Sequence, residues 1–133
     1  MSTVGKMIET HPRKPAKDLD AIVSCVEECF RCADTCTVCA DACLGEPEML
    51  SKLVRCIRLN LDCSEVCATT GRLLAVQTER DPELTRAQLQ ACAAACRICA
   101  AECEKHAAMH EHCRVCAEEC RRCEESCKKV LAL

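Results

Sequence analysis

The chain has 133 residues, enough for one domain, and 18 of them are cysteine. It has no tryptophan or tyrosine and one phenylalanine, and its 18 basic and 21 acidic residues leave a net charge of −3. The interspersed charges and the lack of aromatic platforms argue against nucleic acid as a partner. No uncharged apolar run approaches the about 18 residues of a membrane span, so no membrane partner is expected either.

The first 16 residues are predicted to form an N-terminal arm, with a short helix over residues 4–10. The segment Met1–Ile8 lacks the apolar run and cleavage site of a secretory signal. For a complete chain, we therefore expect a cytoplasmic protein whose thiols are kept reduced. A cysteine-rich chain in that compartment indicates metal binding or catalysis rather than disulfides.

Residues 17–133 are predicted to be helical, with two clear breaks. Gly45-Glu46-Pro47 combines a glycine after a helix end with a proline for the first turn of the next helix. Asp81-Pro82-Glu83 combines a helix N-cap, a proline at the first helical position and an acidic first turn. These breaks predict helices over about 17–44 and 48–78, followed by a third segment that runs from residue 83 to the end.

The third segment has an unbroken helical period, yet a helix of about 50 residues would extend roughly 75 Å, far beyond its partners. We therefore predict a tight turn within residues 106–112. The resulting fold class is all-α, an antiparallel up-down four-helix bundle.

The cysteines recur three and four residues apart, which places them on one face of each helix. These are the seam positions of a bundle, so its core is predicted to consist of thiols. Many of them form Cys-x₃-Cys pairs, in which two sulfurs one helical turn apart could share a metal ion. The candidate ligands are Cys25, Cys29, Cys32, Cys36, Cys39, Cys43, Cys56, Cys63, Cys67, Cys92, Cys96, Cys99, Cys103, Cys113, Cys116, Cys120, Cys123 and Cys127.

Soft thiolates select Cu(I), zinc or iron–sulfur clusters. Several stacked Cys₄ zinc sites would bury two net negative charges each, which is unfavourable in a dry core. The run Cys29-x₂-Cys32-x₃-Cys36 matches an iron–sulfur motif only in part. A Cu(I) ion that replaces a thiol proton keeps the core neutral, so multiple Cu(I) ions, of order one per cysteine, are favoured. An iron–sulfur protein and a thiol redox protein remain the alternatives.

The two ends of the predicted bundle differ. One end, called the mouth below, gathers Met49, His106, Met109, His110 and His112 around the two turns. We expect copper to pass inward there, where exchangeable ligands are available. Asn60 stands where the pattern expects a cysteine and is a candidate polar ligand near the mouth. The opposite end is predicted to be an apolar plug, made of Leu19, Ile22, Leu73, Leu74, Leu84, Leu89, Val130 and Leu131.

The stripe Cys25-x₃-Cys29-x₂-Cys32-x₃-Cys36-x₂-Cys39-x₃-Cys43, with similar stripes on three further helices, resembles the cytosolic copper storage proteins from about residue 17 onwards. The resemblance implies a bundle whose lumen binds many Cu(I) ions through thiolates, making residues 17–133 a metal-storage domain. It also implies a homotetramer that holds copper inside bacteria. The residues that match the family's mouth ligands are Met49, Asn60, His106, His110 and His112. We expect storage rather than catalysis, with copper chaperones or small thiols as copper donors.

Overall fold

In a computed structural model that describes residues 1–133, the chain is all-helical, as predicted, with five helices and no strand. The helices are α1 (Thr3–Glu9), α2 (Leu19–Leu44), α3 (Leu50–Ala75), α4 (Pro82–Glu104) and α5 (Glu111–Leu131). None of them combines the length and apolarity that crossing a lipid bilayer requires.

The four long helices pack side by side as a bundle. Helix α2 packs against α3 and α5, and α4 packs against the same two helices. Helix α1 packs on α2. Each long helix thus presents its cysteine face to two neighbours, which encloses the thiols between all four.

The helix ends follow local chemistry. The side chain of Asp81 caps α4 by accepting a hydrogen bond from the backbone N–H of Leu84 (3.1 Å), with Pro82 at the first helical position, as predicted. Gly45 directly follows the last residue of α2, also as predicted. The prediction that Pro47 opens the next helix is wrong, because the backbone N–H of Met49 donates to the carbonyl of Glu46 (3.1 Å) and closes a turn before α3 begins.

The turn predicted within residues 106–112 is confirmed, with residues 105–110 lying between α4 and α5. The N–H of His106 donates to the carbonyl of Cys103 (3.0 Å), and the N–H of His110 donates to the carbonyl of His106 (2.9 Å). These short-range bonds reverse the chain without a glycine or proline, which explains why the sequence carries no obvious break there.

A single cluster of 28 buried residues forms the core, and it contains all 18 cysteines. Of the predicted apolar plug, Ile22, Leu74 and Leu89 are buried. Leu84, in the first turn of α4, is 57% exposed, so its placement in the plug is wrong. Ile8 of α1 is buried in the core, so the N-terminal helix contributes to this end of the bundle.

The outer helix faces are charged, as the sequence indicates, but some of their carboxylates are buried. Glu28 accepts a hydrogen bond from Arg31 (2.7 Å), and Oε1 of Glu119 accepts one from Arg122 (3.1 Å). The second carboxylate oxygen of Glu119 is buried without a partner. Burial, followed by the negative charge of Glu28, raises the pKa of Glu119 to about 7.

This raised pKa makes the stability of the metal-free protein depend on pH. Between the ordinary glutamate pKa of about 4.3 and a value of about 7, the folded state binds more protons at Glu119 than the unfolded state, so stability falls as pH rises through that window. We expect Glu119→Gln to remove this loss, so that the variant gains on the order of 1–2 kcal/mol over the parent protein between pH 5 and pH 8.

Urea unfolding of the reduced, metal-free protein across this pH range measures the effect. Glu118→Gln is the matched control, because it removes an exposed carboxylate from the neighbouring position. A stability difference between Glu119→Gln and the parent protein that does not change with pH would contradict the prediction.

Candidate metal centre

The thiols contact one another across the helix interfaces. All 18 are buried and none forms a disulfide. Sulfur atoms of α2 approach those of α5, and sulfur atoms of α3 approach those of α4. The Sγ–Sγ distances include Cys25–Cys127 at 4.0 Å, Cys32–Cys120 at 3.8 Å, Cys36–Cys116 at 3.8 Å and Cys67–Cys96 at 3.5 Å.

The sulfurs also gather into sets with metal-binding dimensions. In each set, the four candidate ligand atoms all lie within 4.8 Å of one another. Sets that share a cysteine are linked, so one sulfur can bridge neighbouring ions and a row of sites can run along the bundle. The sets include Cys29/Cys92/Cys123/Cys127, Cys32/Cys63/Cys67/Cys96, Cys32/Cys36/Cys63/Cys120, Cys36/Cys99/Cys116/Cys120 and Cys39/Cys43/His112/Cys113.

The thiols of the core do not ionise alike. Burial, followed by negative charge on the neighbouring Cys39, raises the pKa of Cys43 to about 12. Hydrogen bonds with the thiols of Cys127 and Cys29 lower the pKa of Cys25. Because adjacent thiolates repel one another in a dry core, the ionisation of one thiol depends on its neighbours remaining protonated. A metal ion that enters must therefore displace protons.

Asn60 is a buried polar residue that is surrounded by thiols. It is fully buried, and its Oδ1 accepts hydrogen bonds from the thiols of Cys99 (3.1 Å), Cys116 (3.2 Å) and Cys103 (3.6 Å). Its Nδ2 donates to the sulfur of Cys56 (3.7 Å). The amide therefore joins α3 to α4 and α5 through the core, in addition to any role as a ligand.

Replacing this amide should destabilise the metal-free protein. Asn60→Ala leaves three thiols without their acceptor and opens a small void, for which we expect a loss of about 1–3 kcal/mol in the free energy of unfolding. Denaturant unfolding under reducing conditions measures it. Thr69→Ala, at an exposed position of the same helix, is the control and should change stability by less than about 0.5 kcal/mol. Equal stabilities of the two variants would contradict this role of the amide.

His112 lies directly against the thiol core. Its Nδ1 is 3.5 Å from the sulfur of Cys39 and 3.7 Å from that of Cys113, and its Nε2 is buried without a partner. A surface groove of about 550 Å³ between α2 and α5 reaches Cys39 and His112, with Val38 and Val115 among its lining residues. The thiols near the mouth are thus approached from the side of the bundle.

The remaining mouth residues lie in different surroundings, and two of the histidines contact carboxylates. Met49 packs partly buried against the core. His110 is buried, and its Nδ1 lies 2.6 Å from Oε2 of Glu46, while Nε2 of His106 lies 3.1 Å from Oε2 of Glu102. The sequence analysis missed both carboxylates. Glu102 could have been found from its position one helical turn before His106, whereas nothing in the sequence indicates the contact of Glu46.

The fold and this centre define a class: an all-helical bundle whose core is lined by thiols arranged in metal-sized sets. A family model described as copper storage protein matches residues 18–132. The chain belongs to the copper storage protein family. The resemblance inferred from the cysteine stripes is thereby confirmed.

Solved structures of related proteins agree with this assignment. Ccsp, the copper storage protein from Streptomyces lividans loaded with 10 copper equivalents, is 50% identical, with a TM-score of 0.94 and 98% of each chain covered. A cytosolic copper storage protein from Streptomyces lividans with five coppers is 54% identical, with a TM-score of 0.84, over 86% of this chain and 94% of that one. No curated protein sequence matches the chain significantly.

Proposed function

We propose that this chain is a cytosolic store that holds many Cu(I) ions in its thiol core. The observation that carries the proposal is the linked series of four-ligand sets, in which almost every ligand atom is a cysteine sulfur. Sulfur ligands at this spacing suit a soft, monovalent ion that tolerates low coordination numbers. Copper is the cargo, and the role is binding rather than catalysis.

The proposed ligands are the 18 core cysteines, with Asn60, Met49, His106, His110 and His112 acting at or near the mouth. Exchange of one proton for one Cu(I) leaves each thiol site uncharged, so filling the core does not build up buried charge. A capacity of order one copper per cysteine follows from this balance.

The arrangement proposed for residues 17–133 is an antiparallel up-down four-helix bundle, with residues 1–16 as an N-terminal arm. The sulfur contacts between α2 and α5 support it, since Cys25 meets Cys127 whereas Cys36, further along α2, meets Cys116, further back along α5. Four such chains would form a homotetramer. Copper chaperones or small thiols would supply the ions by ligand exchange, because free copper ions are scarce.

Titration of the reduced protein with Cu(I), under anaerobic conditions and against a competing chelator, tests the storage function. We expect uptake of more than about ten ions per chain, on the basis of the number of thiols and their preference for Cu(I). Saturation at about one to four ions, or a brown protein that retains iron, would instead favour an iron–sulfur or redox protein.

A double variant, Cys63→Ser with Cys67→Ser, locates the capacity in the core. Both sulfurs belong to one four-ligand set, so the variant should bind about two fewer ions than the parent protein. His11→Ala is the control, because His11 lies beside α1 and outside the thiol sets, and it should leave the capacity unchanged.

A further inference from the structure

The groove between α2 and α5 leads from the solvent towards the thiol core. It has a volume of about 550 Å³, and Cys39 is one of its lining residues. Cys39 is 2% exposed, the largest exposed fraction of any cysteine in the chain, whereas Cys43 and Cys113 beside it are 0% exposed. The thiol core therefore comes nearest to the solvent at Cys39, at the bottom of this groove.

The walls of the groove follow from the helical spacing. Val38 directly precedes Cys39 on α2, and Val115 lies three residues after His112 on α5. Each valine stands at the edge of the buried stripe rather than within it, so Val38 is 66% exposed and Val115 is 44% exposed. The two valines form apolar walls, and neither is large enough to close the space above Cys39.

The bottom of the groove holds two candidate copper ligands side by side. Nδ1 of His112 lies 3.5 Å from the sulfur of Cys39. Both residues belong to a four-ligand set with Cys43 and Cys113, whose ligand atoms all lie within 4.8 Å of one another. A molecule in the groove can thus reach an ion in this set without entering the core.

The charge along the groove is negative. Asp34 and Glu111 line it, and no lysine or arginine does. Glu111 is paired with Arg114, whereas the exposed Asp34 has no ion-pair partner. An exposed carboxylate without a partner attracts cations and repels anions over about 10 Å at 0.1 M salt. The groove should therefore admit neutral or cationic molecules more readily than anionic ones.

Size and chemistry indicate the class of occupant. The volume of about 550 Å³ lies within the range of about 300–1,000 Å³ that is typical of small-molecule sites. Cu(I) is a soft ion that prefers thiolate ligands, so a molecule that competes with Cys39 for copper needs a sulfur ligand of its own. Together with the negative charge of Asp34, these properties fit a small thiol that is neutral or cationic.

We propose that the groove is an exchange port, through which small neutral or cationic thiols take Cu(I) from the core and meet the sulfur of Cys39 first. This proposal rests on the storage function proposed above. In each exchange, the incoming sulfur forms a bond to Cu(I) as the bond between Cu(I) and Cys39 breaks, and the proton of the incoming thiol passes to Cys39. Copper stays monovalent throughout, so the step needs no oxidant or reductant.

Alkylation of the reduced, metal-free protein tests access without copper. Substoichiometric N-ethylmaleimide, which is small and uncharged, should modify Cys39 before the other cysteines, and peptide mapping by mass spectrometry identifies the modified residue. Val38→Phe should slow this modification by about tenfold, because the larger side chain covers the sulfur. Val54→Phe is the matched control, since it makes the same change at a valine of α3 that is 62% exposed and does not line the groove.

Two results of the alkylation experiment would overturn the port. One is a first adduct at another cysteine, including the case in which a second copy of the chain covers the groove and protects Cys39. The other is an equal rate of modification in Val38→Phe and Val54→Phe.

Copper release tests the selectivity for charge. Parent and variant proteins are loaded anaerobically to the same copper content and mixed at low ionic strength with one of two thiols of similar size, the cationic cysteamine or the anionic 3-mercaptopropionate. A chromogenic chelator reports the released copper. Asp34→Asn should lower the ratio of the cysteamine rate to the 3-mercaptopropionate rate by about threefold, because it removes the unpaired charge. Asp41→Asn, at another exposed aspartate of α2 outside the groove, should leave the ratio at its parental value.

The outcomes separate the port from the storage function. Val38→Phe should slow release to both thiols, whereas Val54→Phe should not. Equal release from these two variants, or a ratio of rates that Asp34→Asn leaves unchanged, would overturn the port while storage stands. A parent protein that saturates at a few ions would instead overturn storage, whatever the result of alkylation. Circular dichroism of each variant establishes that the helices are intact.

Discussion

The structure depends on the burial of many thiols in a space from which water is excluded. A neutral thiol is a small, weakly polar group and can be buried at little cost, whereas a thiolate in the same place would need a compensating charge. The metal-free bundle can therefore fold around protonated cysteines, with sulfurs separated by distances such as the 3.5 Å between Cys67 and Cys96. The same condition selects the cargo, because a monovalent cation that replaces each proton preserves the neutrality on which the fold relies.

Cysteine fills less volume than leucine, so the thiol core contributes less packing energy than an ordinary core. The bundle compensates at its ends and on its outer faces. At one end, Ile8, Ile22, Leu74 and Leu89 close the lumen with larger apolar side chains. On the outer faces, nearly buried carboxylates such as Glu28 pair with arginines. At the mouth, Met49, His110 and His112 lie beside the last cysteines instead, so the two ends of the thiol stripe differ in chemistry.

Much of the fold was predictable because the signals are local. The three- and four-residue spacing identified the buried face of every long helix, and Asp81-Pro82 marked the start of α4 within one residue. The turn before α5 followed from helix length rather than from any residue type. The errors concern positions where tertiary context decides: Pro47 lies in a turn instead of a helix, and Leu84 is exposed. The contact of Glu46 with His110 joins two distant turns, and no spacing rule could have identified it.

The two parts of the proposed copper site place different demands on the chain. Within the core, the four-ligand sets share members such as Cys32 and Cys36. An ion that leaves one sulfur therefore has another sulfur within 4.8 Å, and binding does not depend on the orientation of any single side chain. At the mouth, a histidine offers one lone pair in one direction, and the wrong tautomer offers none there. The core therefore offers redundant ligands, whereas a site at the mouth depends on the orientation of a few side chains.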